Sequence, residues 1–169
     1  MPDPEPEQPL PQSELTAVQL LTRLLELIKN SDSVADFSFD QVQRALDVPI
    51  ERYGPNKWGT QARLTRNWNY AIHALEDFPD GARVMVSFFE DESTTFGDMT
   101  EICQLDFDDF TGDLRSAGFM KQSFYGDHGI PLYDAYTRNH LRVEVSSRGE
   151  ASRSSDKVLH QCIQAVLVR

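Results

Sequence analysis

Four aspartates in the pattern Asp106-x-Asp108-Asp109-x-x-x-Asp113 form the densest set of potential ligands in the chain. Several carboxylate oxygens at close spacing suit a hard cation such as Ca²⁺ or Mg²⁺. A calcium loop of the EF-hand kind also needs a glycine at its sixth position and a glutamate at its twelfth, and here those positions hold Thr111 and Ala117. A helix cap followed by a solvated acidic face accounts for the same residues, so neither a metal nor a cofactor is expected.

Asp127-His128 lies between Gly126 and Gly129 and is the histidine most clearly placed in a turn. With Ser123 or Cys103 it has the residue types of a hydrolase site, and scattered carboxylates offer acid–base pairs. The G-x-S-x-G, HExxH, phosphate-loop and dinucleotide glycine motifs are all missing from the sequence. No catalytic residue is assigned and no enzyme activity is expected; a small hydrolase using carboxylates or His128 is the alternative. His73 and His160 fall within apolar patterns that place them in the packed interior, and His140 falls at a strand start.

What stands out is the distribution of charge. Between Glu76 and Asp113 there are twelve acids against the single base Arg83, a net −11, and the whole chain also carries −11. The remainder is therefore neutral. A one-signed field repels like charges and attracts cationic partners over a distance. Glu90, Asp91, Glu92, Asp98, Asp106, Asp108, Asp109 and Asp113 are accordingly the candidate partner-binding residues, on one exposed face, with Phe96, Phe107 and Phe110 as apolar anchors. The partner expected is a cationic protein. Nucleic acid is not expected, although Arg52, Lys57, Arg63 and Arg66 lie near Trp58, Trp68 and Tyr70, because the overall field opposes a polyanion.

The elements that position these residues follow from periodicity. Residues 1–12 hold five prolines and three acids, a composition that predicts a disordered tail ahead of one domain over 13–169. Leu15, Val18, Leu21, Leu25 and Ile28 recur at helical spacing behind a Ser13 cap, and Phe39 to Leu46 makes a second helix with a capping signal at Ser38 and Gln41. Residues 53–59 read as a loop, and Leu64, Trp68, Ala71, Ile72 and Leu75 predict a third helix. Strands are predicted at 83–89, 99–107 and 119–125, with a short helix after Asp108 or Asp109 that stops at Gly118. A hairpin turns at Arg138-Asn139, with Leu141, Val143 and Val145 inward. Residues 147–156 read as a mobile loop and 157–169 as a strand or helix, the strand being favoured. The class expected is α+β, with N-terminal helices packed on a mostly antiparallel sheet.

A chain of 169 residues with 40% hydrophobic residues can build one core. No apolar run is long enough to span a bilayer, and the acidic, proline-rich start has no signal-peptide character, so a cytoplasmic, membrane-free protein is expected. Cys103 and Cys162 sit in apolar stretches without metal-ligand spacing and read as reduced core thiols. A leaderless, acidic α+β chain with no catalytic motif resembles the immunity proteins of bacterial toxin systems, such as those of contact-dependent inhibition. The resemblance covers charge and build across most of the chain and carries no motif. It implies a partner that plugs the basic active site of a toxin domain, often a nuclease. An adaptor in a regulatory assembly is the further alternative, and the oligomeric state stays open.

Overall fold

The computed structural model describes residues 7–94, 97–153 and 155–169. Residues 1–6 of the expected tail and the expected anchor Phe96 lie outside the described residues. Helix α1 (Ala17–Lys29) is capped by Thr16, whose Oγ1 accepts from the Gln19 N–H while Gln19 Oε1 accepts from the Thr16 N–H. Ser13, the expected cap, instead donates its N–H to the Arg63 carbonyl at 2.7 Å. The Arg63 N–H in turn donates to Pro11 at 2.8 Å, so Pro11 to Ser13 run along the sheet edge rather than free of it. Helix α2 (Phe39–Leu46) starts at the Ser38 cap and ends at Asp47 in the left-handed region.

The strands are β1 (Glu51–Gly54), β2 (Lys57–Arg63), β3 (Trp68–Leu75), β4 (Arg83–Glu90), β5 (Met120–Tyr125), β6 (Pro131–Arg138), β7 (Leu141–Gly149) and β8 (Gln161–Val168). They form one antiparallel sheet in the order β1-β2-β3-β4-β8-β7-β6-β5. Two meanders are thus joined by the last strand. Val166 of β8 sits opposite Val86 of β4 on one side and Val145 of β7 on the other. The α+β architecture with helices ahead of the sheet is what the patterning predicts.

Several assignments differ. The helix expected over 64–75 is β3, and the loop expected over 53–59 is the turn of the β1–β2 hairpin. Tyr70, Ile72 and Ala74 point into the core while Asn69, Ala71 and His73 alternate to the other face, and Ala71 is buried there too. A strand flanked on both sides and buried on both faces loses its polar alternation, so its apolar residues imitate a helical stripe. The strand expected over 99–107 is a short 3-10 turn (Thr100–Ile102) leading into helix α3 (Phe107–Ser116). Here Asp106, rather than Asp108 or Asp109, is the cap. Residues 147–149 extend β7, and helix α4 (Ser155–Leu159) precedes β8, so the last segment is partly helix and mostly strand.

Helices α1, α2 and α3 share one core with one face of the sheet: Leu20, Leu21, Leu24 and Ile28 belong to the same buried cluster as Trp58, Trp68, Tyr70, Phe110 and Val166. Arg138 fastens the helix ends to the sheet. Its guanidinium donates to the carbonyls of Lys29, the last residue of α1, of Ser31 just beyond it and of Ala117 beyond α3, and it lies over the Phe119 ring. A cation at two helix C-termini meets the negative ends of both dipoles. Gly118, at φ +94°, makes the left-handed stop of α3 that was expected of it.

Candidate functional site

Strand β4 divides the acidic segment. Glu76, Asp77 and Asp80 lie before its first residue, and the remaining nine acids lie at or beyond its last, about 26 Å away for eight extended residues. Two of the early group are paired with cations, Glu76 with Arg52 and Asp80 with Arg83 and Arg169; Glu76 also accepts from Trp58 Nε1 at 2.8 Å, and exposed Asp77 accepts only from the neutral Asn56 amide among the described residues. All of the later group but Asp113 gather toward the opposite end of the sheet, where β4 stops, β7 stops and β8 begins.

The eight candidate residues fall into two sets, and Asp113 stands apart from the other seven, in the second half of α3 beside the C-terminal end of α1. Glu90 pairs with Arg148 at 3.1 Å, Asp91 with Arg63 at 2.8 Å, Asp106 with His160 at 2.7 Å and Asp113 with Lys29 at 3.1 Å. These four hold the molecule together, which corrects the expectation that all eight stand ready for a partner. The acids are complementary to cations brought by strands β2 and β7 and helix α1, a pairing that linear sequence conceals. Asp91 also accepts from the N–H and Oγ of Ser93, and that hydroxyl contact is the leading cause of its lowered pKa. Glu92, Asp98, Asp108 and Asp109 are exposed, and none has an ion-pair partner among the described residues. Exposed Glu101 joins them, its carboxylate receiving among the described residues only a long 3.4 Å contact from Asn67 Nδ2.

The connection between these residues is continuous. Trp68 Nε1 donates to the Asp98 carbonyl at 2.9 Å, the Met99 N–H donates to the Glu150 carbonyl at 2.8 Å, and Thr100 Oγ1 donates to Glu150 Oε1 at 2.9 Å. Glu150 Oε2 then meets His160 Nδ1 at 2.7 Å, and His160 Nε2 meets Asp106 Oδ2 at 2.7 Å. Asp106 Oδ1 accepts the Asp109 N–H at the start of α3. With a carboxylate on each ring nitrogen, His160 donates twice as an imidazolium, and Glu150 first and Asp106 second hold its pKa above the usual value. Glu150 is lowered by His160 and then Thr100. Burial pushes Asp106 up, but the Asp109 N–H and His160 outweigh it and leave it below the carboxylate range.

Cys103, just before α3, and Cys162, in β8, are both buried and joined as a disulfide, with Cα atoms 5.3 Å apart. They are not the reduced thiols that their apolar neighbours suggested; separated by 59 residues, they meet only because β8 inserts beside β7. Cys103 Sγ also lies 3.9 Å from His160 Nδ1. As a disulfide sulfur, Cys103 is no nucleophile for a hydrolase. His128 stands in the left-handed region at φ 60° in its exposed turn, and Ser123 faces Asp134 across the β5–β6 pair. Neither His128 nor Ser123 is brought to the acidic end.

A groove of about 420 Å³ opens beside Glu90 on the sheet face away from the helices. Glu7 to Leu10 form one wall, and Gln61, Arg63, Asn69 and Phe89 to Glu92 form the floor and the other wall. Asn69 is only 4% exposed, and its Oδ1 has no hydrogen-bond partner among the described residues. A hydrogen-bond donor is what such an acceptor lacks. Glu7, Glu90, Asp91 and Glu92 make the surroundings acidic, opposed by Arg63. Neither this groove nor the His160 cluster is legible in the sequence: His160, expected in the packed interior, has a side chain 40% exposed.

No family model, curated protein or solved structure matches this chain. Function is therefore argued from the site itself. No described helix is long and apolar enough to cross a membrane.

Proposed function

We propose that this protein is an acidic inhibitor of the immunity kind, which captures a cationic protein, such as a nuclease toxin domain, through the end of the sheet where β4, β7 and β8 meet. The supporting observation is that Glu92, Asp98, Glu101, Asp108 and Asp109 are exposed at that end without ion-pair partners among the described residues, in a chain of net charge −11. Carboxylates so gathered repel one another, and a partner bringing lysine and arginine relieves that repulsion. The adjoining groove, with Glu7, Glu90, Asp91 and Glu92 on its walls, offers a cationic side chain a place to enter below the rim. Glu90, Asp91, Asp106 and Asp113 act in this reading by building the surface rather than by touching the partner.

Immobilised protein presented to a lysate of the source cells at about 50 mM and about 500 mM salt tests the proposal. A basic protein retained at low salt, released at high salt and lost on the Asp98→Lys/Asp108→Lys/Asp109→Lys variant is the expected result. Equal retention of the same proteins by the wild type and the variant contradicts it.

A further inference from the structure

We propose that Cys103, Cys162 and His160 form a latent zinc site that opens when the disulfide between the two cysteines is reduced, with Glu150 completing the ligand set. The ligand atoms of the two cysteines and the histidine already lie within 4.8 Å of one another. Ligands on a tetrahedral zinc stand about 3.5–3.8 Å apart, given metal–sulfur and metal–nitrogen bonds of about 2.3 and 2.0 Å. The 3.9 Å between Cys103 Sγ and His160 Nδ1 needs almost no change. The two sulfurs separate once their bond is broken.

The histidine is oriented for this role. Nδ1 faces the sulfurs, while Nε2 faces Asp106 Oδ2 at 2.7 Å. An Nε2–H donated to a fixed carboxylate sets the tautomer that leaves Nδ1 free to ligate, the usual outer partnership of a zinc-bound histidine. Asp106 is fixed because its other oxygen caps α3. Glu150 Oε2, at 2.7 Å from Nδ1, stands where a fourth ligand is needed and moves from the nitrogen to the metal. Two thiolates, an imidazole and a carboxylate suit zinc better than calcium or magnesium, which take oxygen ligands. The His160 side chain is 40% exposed, so a metal enters from its side while the sulfurs stay buried.

The chemistry balances. A dithiol reductant gives two electrons and two protons to the pair, the Cys103–Cys162 bond breaks to two thiols, and the dithiol closes to its own disulfide. Zinc then displaces the two thiol protons and the proton on Nδ1, which leave to solvent. The consequence is a cross-link that survives both redox conditions. The disulfide ties the segment before α3 to β8 in an oxidising compartment, and zinc ties the same segments in a reducing one. This inference does not rest on the inhibitor reading.

The full chain, reduced with a phosphine that is then removed, is titrated with Zn²⁺ alone against a chromophoric chelator. One equivalent bound by the reduced chain and none by the oxidised chain is expected, and Co²⁺ in its place gives a thiolate charge-transfer band. Asp106→Asn, which keeps a good helix cap, weakens binding about 10–100-fold, and His160→Gln or Cys103→Ser abolishes the one-equivalent site. Circular dichroism before and after zinc covers the case in which the reduced chain unfolds: refolding on one equivalent supports the site. No stoichiometric binding by the reduced chain, no refolding, or equal affinity in Cys103→Ser overturns the proposal.

Discussion

Asp106 Oδ2 lies 2.7 Å from His160 Nε2, so a carboxylate of the acidic segment is committed inward rather than to a partner. Through its other oxygen the same side chain starts α3. One residue thus joins the helix to the connection that precedes β8. The division of the acidic residues into structural and exposed sets begins at this pair, and it determines which variants report on folding and which on binding.

Replacement of Asp106 by alanine removes a helix cap and one carboxylate from His160, and is expected to lower stability by about 1–2 kcal/mol. Asp106→Asn keeps the cap and is expected to cost less. Urea denaturation of both variants measures the difference; equal losses contradict the capping role.

The pH dependence of the oxidised, metal-free chain follows from the same cluster. The folded-state pKa of His160 is raised above its ordinary 6.5, so its stabilisation is complete below that value and is lost as pH rises through the raised one. Glu150 and Asp106 are lowered from 4.5 and 3.8, so theirs is complete above those values and is lost as pH falls through the lowered ones. The melting temperature is therefore expected to be highest between 4.5 and 6.5. His160→Gln is expected to flatten the alkaline side of that profile; an unchanged fall in the variant contradicts the clamp.

Strand β3 supplies a test of register. Tyr70 is 2% exposed and faces the core, whereas Leu75, which a helical reading places inward with Trp68, is only partly buried at the strand end. Tyr70→Ala is expected to cost about 3–5 kcal/mol and Leu75→Ala distinctly less, as measured by denaturant melts. The reverse order contradicts a two-residue period here.

Arg138 carries three hydrogen bonds to backbone carbonyls that end two helices. Arg138→Ala is expected to lose at least about 1.5–3 kcal/mol, since carbonyls at both helix ends lose a charged donor. Lysine has one point charge instead of a planar fork, so Arg138→Lys recovers only part of that loss. Full recovery by lysine contradicts the bridging role.

The sequence shows some elements plainly and conceals others for identifiable reasons. The Ser38 cap of α2, the inward Leu141, Val143 and Val145 of the β6–β7 hairpin and the Gly118 stop follow from local period and turn chemistry and form as expected. Helix α1 keeps Leu21, Leu25 and Ile28 of its stripe but leaves Leu15 outside the helix and Val18 partly buried, and the hairpin turns one residue later, at Asn139-His140. Trp68 to Leu75 misleads because both faces of β3 are covered, and Met99 to Phe107 misleads because a 3-10 turn shows too few residues to establish a period. At the site, Glu92, Asp98, Asp108 and Asp109 are exposed as acidic composition suggests. The roles of Glu90, Asp91, Asp106 and Asp113 depend on Arg148, Arg63, His160 and Lys29, which are between 28 and 84 residues distant in the chain. The disulfide depends on the same long-range insertion of β8.

Association kinetics with the basic protein retained in the capture experiment test the central claim most directly. Asp98→Lys/Asp108→Lys/Asp109→Lys alters the proposed binding end, and Asp40→Lys/Glu51→Lys/Asp77→Lys makes the same charge change among exposed acids toward the other end of β4. The account predicts an on-rate that falls as salt is raised from about 0.01 to about 0.15 M, drops at least about tenfold in the first variant and changes much less in the second. Equal slowing by both variants, or no slowing by the first, would contradict a localised acidic interface.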